Sequence, residues 1–285
     1  MRSALNANTF YNTVALARQN VRTLILVVEG DDDHLLVKRH VNDEDVLLIA
    51  GVGGKPVVLD AARIAERRNL RGVRFMIDID YDPFTSPTLR YPANVIESKN
   101  HDAIMDVLII AGDLIEWVME AYARSSLRSG AWLDTSKARE DAYVLAASVA
   151  PLRVANDRHQ YGLKLSKFPF GQLPNAQPGP ADLARLVVMR SGNTRTQADV
   201  EADIIAEATH LGTDHVRLVG DHDYFRALAK VLQLAGVTGV TAENLWTGVL
   251  VAIACVHLGA TDWYQRLSEW GAANSRATFT CPCAA

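Results

Sequence analysis

Three acidic stretches carry the candidate chemistry of this chain. Glu29, followed by Asp31, Asp32 and Asp33, comes directly after an apolar run at 24 to 28. Asp78, Asp80 and Asp82 come after a second such run at 73 to 77, and Asp102 and Asp106 stand one helical turn apart further on. Carboxylates held together repel one another and bind protons more tightly unless a cation offsets their charge. Magnesium is the natural partner, because it takes oxygen ligands, keeps several waters and usually bridges one or two carboxylates to a phosphate. A second ion about 3.5 to 4 Å away would complete a two-metal site for cutting a phosphodiester. Glu29, Asp78 and Asp80 are the candidate ligands for Mg2+ (or Mn2+), and Asp33 and Asp82 can serve a second ion. The same acids also suit a plainer role as solvated loop residues and helix caps, above all Asp31, Asp32, Asp102 and Asp221.

The elements that must position these acids read as alternating strands and helices. LILVV at 24 to 28 is aliphatic throughout, as expected of a strand buried on both faces. Gly30 then permits a sharp turn into a helix over 32 to 41. VLLIA at 46 to 50 and VRFMI at 73 to 77 are two further strands, with a short fourth strand at 94 to 97. Helices fill the gaps, so the pattern predicts β-α-β units, a parallel sheet and one rim that receives every strand's terminal residue. That rim holds Glu29, the GVGGKP turn with Lys55, and Asp78 with Asp80. Residues i and i+2 of a strand share a face, which would aim Asp78 and Asp80 at one point. In open α/β sheets such a rim is where ligands gather.

Spacing excludes two familiar loops. DIDYDP is not a calcium loop, because Pro83 and Leu89 stand where glycine and the closing glutamate belong. GVGGKP is not a P-loop, since Ile49 and Pro56 fall at required positions. Lys55 and nearby amides can still approach a phosphate; a plain turn with a solvated lysine fits equally well.

The 285 residues, 49% of them hydrophobic, suffice for a large core, and the formal charge of −4 leaves any nucleic-acid surface to local basic patches. The expected organisation is a helical lead-in over 1–21, a catalytic α/β domain over 22–125, and a mostly helical region over 126–285 with a Pro/Gly-rich break at 169–180. Helices are expected over 102–125, 137–160, 181–190, 196–209, 222–235, 242–258 and 261–271. No apolar run reaches membrane-spanning length, and no h-region opens the chain. Cys255, Cys281 and Cys283 make neither a disulfide framework nor a four-ligand zinc set, so a cytoplasmic location is expected.

Val28, Glu29, Gly30 and Asp33, then Gly54 and Lys55, then Asp78 and Asp80 form an ordered set that resembles the TOPRIM domain. That domain is shared by type IA and II topoisomerases, bacterial primases, recombination mediators and OLD-family nucleases. The resemblance covers about residues 22 to 110. It implies a Rossmann-like parallel sheet flanked by helices, with Glu29 as general acid/base or metal ligand and Asp78 and Asp80 holding magnesium. With its helical second half, HDAIMDVLI at 101 to 109 and GDHDYFRALAKVL at 220 to 232, the chain is similar to small stand-alone TOPRIM proteins of bacterial anti-phage systems. The PARIS effector subunit, which partners an ABC-type ATPase, is an example. Such proteins are expected to carry an acid where this chain has Ile104, which leaves Asp102 or Asp106 as substitutes at a second metal site.

The resemblance therefore implies a magnesium-dependent nuclease acting on DNA or RNA, including transfer RNA. Two rivals stand beside it: a non-catalytic TOPRIM module that binds nucleic acid or a partner, and a D-x-D phosphatase or nucleotidyl transferase. For the polyanion, Arg153, Arg158, Lys164 and Lys167 form a basic group next to Tyr161 and Phe168, which can stack on bases. Arg63, Arg67, Arg68, Arg71 and Arg74 form another, equally explained as a solvated helix face. Trp246, Trp263 and Trp270 read as packing residues or as part of a homo-oligomer interface.

Overall fold

The computed structural model describes residues 6–126, 132–163, 165, 168–191, 195–212 and 215–281. The chain forms two compact units. The first comprises Met1–Ile79, Thr88–Ile110 and Ile253–Ala285; the second comprises Asp80–Pro87 and Ala111–Ala252.

The first unit is built on four parallel strands, β1 (Leu24–Val28), β2 (Val46–Ala50), β3 (Val73–Ile77) and β4 (Val95–Glu97), in the order β2-β1-β3-β4. β1 is central, with Leu24 opposite Val46 on one side and Ile25 opposite Val73 on the other, and all five of its residues are buried. This explains why its sequence shows no alternation: helices cover both faces, so neither face tolerates a polar side chain. Ile25, Val27, Phe75 and Ile77 pack with Phe10 and Val14 of α1 (Ala7–Asn20) and with Val58, Ala61, Ala62 and Ala65 of α3 (Gly54–Arg67). Alternate residues of β1 point to the opposite face, where α2 (Asp31–Lys38) packs against β1 and β2 and α5 (Ala103–Ile110) against α2. α1 starts where the Asn6 carboxamide accepts the Thr9 N–H at 3.0 Å.

The chain returns to this unit at its end. α14 (Cys255–Gly259) packs on α5, and α15 (Asp262–Ala273) packs on the short strand β4. Trp263 and Tyr264 are fully buried there, and Trp270 lies under the Arg74 guanidinium, 5.8 Å from ring centroid to Cζ. The linear division into an α/β domain and a helical C-terminal region thus differs from the one observed. Burial of the aromatic face of α15 outweighs sequence order.

The second unit is helical: α4 (Asp82–Thr85), α6 (Gly112–Ser126), α7 (Thr135–Ala147), α8 (Ala150–His159), α9 (Pro180–Ser191), α10 (Gln197–Leu211), α11 (His215–Leu218), α12 (Asp221–Leu234) and α13 (Ala242–Ala252). α7 and α12 pack together, with the Tyr143 and Tyr224 rings 4.6 Å apart. The helix expected over 137–160 divides because Pro151, lacking an N–H, fits the first turn of a new helix but not the interior of an old one. The helix expected over 102–125 divides at Ala111, next to the poor helix former Gly112. The segment at 216–220, an apolar interruption in the sequence, begins as the short helix α11, and the Pro/Gly-rich stretch holds a single 3-10 turn at Phe170–Gln172.

Candidate functional site

The carboxyl ends of β1 and β3 are neighbours, and their acids meet through the backbone. The N–H of Asp78 donates to Oε2 of Glu29 at 3.2 Å. Asp78 in turn accepts the N–H of Ala103, the first residue of α5, at 3.0 Å through Oδ1. One acid from each strand end is therefore oriented by a neighbouring element rather than left to solvent.

Asp33 closes the other side of this rim. It lies in the first turn of α2, where its Oδ2 accepts the Gly30 N–H at 3.0 Å, and it is only 9% exposed. Burial, the Glu29 charge and the Asp102 charge push its carboxyl up to about 7, against the pull of the Gly30 hydrogen bond. Asp102 is buried as the cap of α5: its Oδ1 accepts the Met105 N–H at 2.7 Å, and His101 Nδ1 stands 3.4 Å from its Oδ2. The capping role read from sequence is thus present, yet the charge of Asp102 still acts on Asp33.

Two glycine positions shape the loop after β2. Gly51 approaches β1 so closely that a β-carbon there would lie 2.4 Å from the carbonyl oxygen of Glu29. Gly53, at φ +81°, precedes α3 in the left-handed region that glycine enters without strain. This turn delivers Lys55, whose ammonium donates to the carbonyl oxygen of Ile79 at 3.0 Å. The lysine charge thus reaches the backbone between the two aspartates of D-x-D.

Other candidates are placed differently from expectation. β3 ends at Ile77, and Asp80 takes φ +50°, a left-handed conformation that aspartate tolerates. The same-face rule for i and i+2 therefore does not apply to Asp78 and Asp80. Asp80 is the first residue of the second unit and acts electrostatically on Arg153; Asp82 opens α4 in that unit. Asp106 is 2% exposed and accepts from the Lys99 N–H, the Asn100 N–H and the Asn100 side-chain amide at 2.8, 2.8 and 2.7 Å. Burial nevertheless raises its pKa. It ties the loop before α5.

The basic group is engaged inside the helical unit. Arg153 forms a bidentate pair with Asp223 at 2.6 and 2.7 Å and also donates to the Leu165 carbonyl at 3.2 Å. Burial opposes its charge, but Asp223, with Tyr81 and Asp80 beyond it, holds the proton more tightly than usual. Arg158 pairs with Glu207 at 3.2 Å. Both arginines, expected as phosphate contacts, therefore have internal partners, a pairing that spacing along the chain does not show. Tyr161 is buried between His159 and Arg195 and hydrogen-bonded to Asp203; burial first, then Asp203, pushes its phenol up to about 12. Phe168 is a core residue. Lys164 and Lys167 lie outside the described residues.

Sequence reasoning also passed over a second cluster in the first unit. Cys255 and Cys281 stand within disulfide distance of each other, a single pairing rather than a framework, and His40 faces both sulfurs. The available signal was the Cys281-Pro282-Cys283 tail. Cys283 itself lies outside the described residues. Among the described residues, His40, Cys255 and Cys281 are the one trio of histidine, cysteine or carboxylate ligand atoms within 4.8 Å of one another; the acidic rim is more widely spaced. No described helix is long and apolar enough to cross a membrane. No protein-family model matches the chain, and no curated protein matches it in sequence.

Proposed function

We propose that the first unit is a TOPRIM-like, metal-dependent nuclease domain that hydrolyses phosphodiester bonds of DNA or RNA. In this reading the chain is the effector of an anti-phage system and works with an ABC-type ATPase. The observation that carries the proposal is the hydrogen bond from the Asp78 N–H to the Glu29 carboxylate at 3.2 Å, at the ends of adjacent parallel strands, beside an Asp33 whose carboxyl is pushed up by burial and by the Glu29 charge. Acids gathered at the carboxyl rim of a parallel sheet stand where substrates of α/β proteins bind.

The donor set fits Mg2+ or Mn2+. It is made of hard carboxylate oxygens, and while burial is the main cause of the raised Asp33 pKa, the Glu29 and Asp102 charges that add to it are what a divalent cation would relieve. The ligand atoms of the three rim acids do not all lie within 4.8 Å of one another, so an ion would be held by one or two of Glu29, Asp33 and Asp78, with waters and a phosphate completing its shell. A bound ion would lower the pKa of a water and neutralise charge on the phosphoryl oxygens. Glu29, fixed by the Asp78 amide, is placed to take or return a proton at its carboxylate. Lys55 brings a positive charge to the same rim, suited to a phosphate oxygen.

The position of Lys55 also favours one alternative. A lysine at the rim can itself offset the acids, as in a non-catalytic module that binds nucleic acid without cutting it. The deciding experiment incubates the purified full chain with labelled DNA and total RNA, with and without Mg2+ or Mn2+, beside Glu29→Gln and Asp78→Asn. Metal-dependent cleavage that falls about 100-fold or more in both variants, at near-unchanged melting temperature, is the expected result. Cleavage at wild-type rate in both variants rejects the site. Absence of cleavage together with no Mg2+ binding by calorimetry selects the non-catalytic module.

A further inference from the structure

The C-terminal segment of the chain is laid against the loop that follows α2 by a series of backbone bonds. Val41 and Phe279 form an antiparallel bridge. The Thr280 N–H donates to the His40 carbonyl at 2.9 Å, and the Asn42 N–H donates to the Thr278 carbonyl at 2.9 Å. Arg276 pairs with Asp45 at 2.8 Å, and the Phe279 ring stacks on Tyr264 with centroids 3.9 Å apart. These contacts bring Cys281 alongside His40, while α14 brings Cys255 from a third direction. His40 is 215 residues from Cys255 and 241 from Cys281, so the fold alone assembles the group.

The nitrogen-to-sulfur edges of the group are those of a metal site, while the two sulfurs themselves stand at bonding distance, as in the oxidised pair. Nδ1 of His40 stands 3.6 Å from the Cys255 sulfur and 3.7 Å from the Cys281 sulfur. For a tetrahedral zinc with bonds of about 2.3 Å to sulfur and about 2.05 Å to nitrogen, the nitrogen-to-sulfur edge is about 3.6 Å. Both edges match. The cysteine α-carbons are 5.8 Å apart, a separation that a disulfide also accepts, so the imidazole discriminates between the two states. A disulfide has no S–H to give and is a weak acceptor, which leaves a buried ring nitrogen facing two sulfurs to little purpose. With the sulfurs parted by reduction, an ion could take all three atoms as ligands. His40 and Cys281 are each 7% exposed, so an ion there would be shielded from water, as structural ions are.

We propose that His40, Cys255 and Cys281 are ligands of a structural zinc ion that pins the C-terminal segment to the loop after α2. Thiolate and imidazole ligands select zinc over magnesium, so this site differs in chemistry from the acidic rim and stands independently of the nuclease reading. Binding uses the reduced cysteines. From the Cys255–Cys281 disulfide, a cellular dithiol reductant first supplies two electrons and two protons and is itself oxidised to its disulfide; each thiol then releases one proton to solvent as its sulfur bonds to the ion, and the imidazole donates a lone pair. A water can complete the tetrahedron.

The test uses the full chain, purified from a reducing cytoplasm in a phosphine reductant, with zinc measured by mass spectrometry of the ashed protein. About one zinc per chain is expected, falling about tenfold or more in His40→Ala, Cys255→Ser and Cys281→Ser. Two measurements on wild type do not depend on the variants folding. Replacement with cobalt should give thiolate-to-cobalt charge-transfer bands and the intense visible bands of a tetrahedral ion, and a chelator should lower the melting temperature. The proposal is overturned by a wild-type chain that holds no zinc and is lighter by two hydrogens until reduced, which marks a plain disulfide. Zinc retained in all three variants overturns it as well.

Discussion

Glu29 and Asp78 directly follow two neighbouring strands, and the Asp78 amide is bonded to the Glu29 carboxylate at 3.2 Å. The link needs an acceptor at position 29 but not a negative charge. Glu29→Gln keeps an acceptor oxygen and removes a charge that raises the pKa of Asp33. Its stability in urea should therefore match or slightly exceed wild type, while Glu29→Ala should lose about 1 kcal/mol for the orphaned amide. Cleavage should be lost in both. A Gln variant as unstable as the Ala variant would mean that the charge, not the acceptor, holds the strand ends together.

Asp33 makes stability depend on pH in a direction opposite to that of most carboxyls. Its pKa is about 7 in the folded protein against an ordinary 3.8, so between these values the folded state binds more protons than the unfolded one. Stability then falls as pH rises through the window; the contribution is complete below about pH 4 and lost above about pH 7. At about 1.4 kcal/mol per pH unit the loss is a few kcal/mol for this carboxyl, less where Glu29 shares the proton. Asp33→Asn should flatten the curve, equalling wild type near pH 4 and exceeding it at pH 8. Added Mg2+ should stabilise wild type more at pH 8 than at pH 5. Chemical denaturation across pH measures both, and an unchanged slope in the variant would remove Asp33 from the account.

The sheet was legible in the sequence because its strands are uniformly aliphatic. The runs at 24 to 28, 46 to 50 and 73 to 77 coincide with β1, β2 and β3, and even the three-residue β4 falls within the expected 94 to 97. The helix breaks at Ala111 and before Pro151 were not, since apolar periodicity continues across them and masks the local signals of Gly112 and Pro151. Asp78 and Asp80 were read as a strand pair, but the left-handed turn at Asp80 has no signature that distinguishes it from an extended residue. Glu29 and Asp33 were found because a buried strand and a helix start fix them locally. Partners distant in sequence, such as Asp223 for Arg153, Arg276 for Asp45 and His40 for the cysteines, depend on chain returns that no local pattern encodes.

Asp106 holds the loop before α5 through three N–H groups, two of the backbone and one of the Asn100 side chain. Asp106→Ala leaves these donors without acceptors in a buried position, where each orphaned group costs about 1 to 3 kcal/mol. The variant should lose at least about 3 kcal/mol, and α5 should loosen with the loop. Asp106→Asn keeps one oxygen and should lose roughly half as much. Urea unfolding measures the totals, and hydrogen exchange at Lys99 and Asn100 locates them. If Asp106→Ala instead abolished metal binding at unchanged stability, Asp106 would be a ligand after all.

Arg153 and Asp223 form a bidentate pair in which the carboxylate is nearly buried and the guanidinium is 22% exposed. Removing one member leaves an unpaired charge away from water, which costs about 3 to 5 kcal/mol, whereas replacing both with apolar residues of similar volume is often neutral. Arg153→Met and Asp223→Leu should each be strongly destabilising. The double variant should recover most of the loss, giving a coupling energy of about 2 kcal/mol or more in a double-mutant cycle. The same double variant separates packing from nucleic-acid contact. If Arg153 serves only this pair, nucleic-acid affinity and its salt dependence should match wild type once stability is recovered. A shallower salt dependence in the double variant would return Arg153 to the phosphate-binding surface.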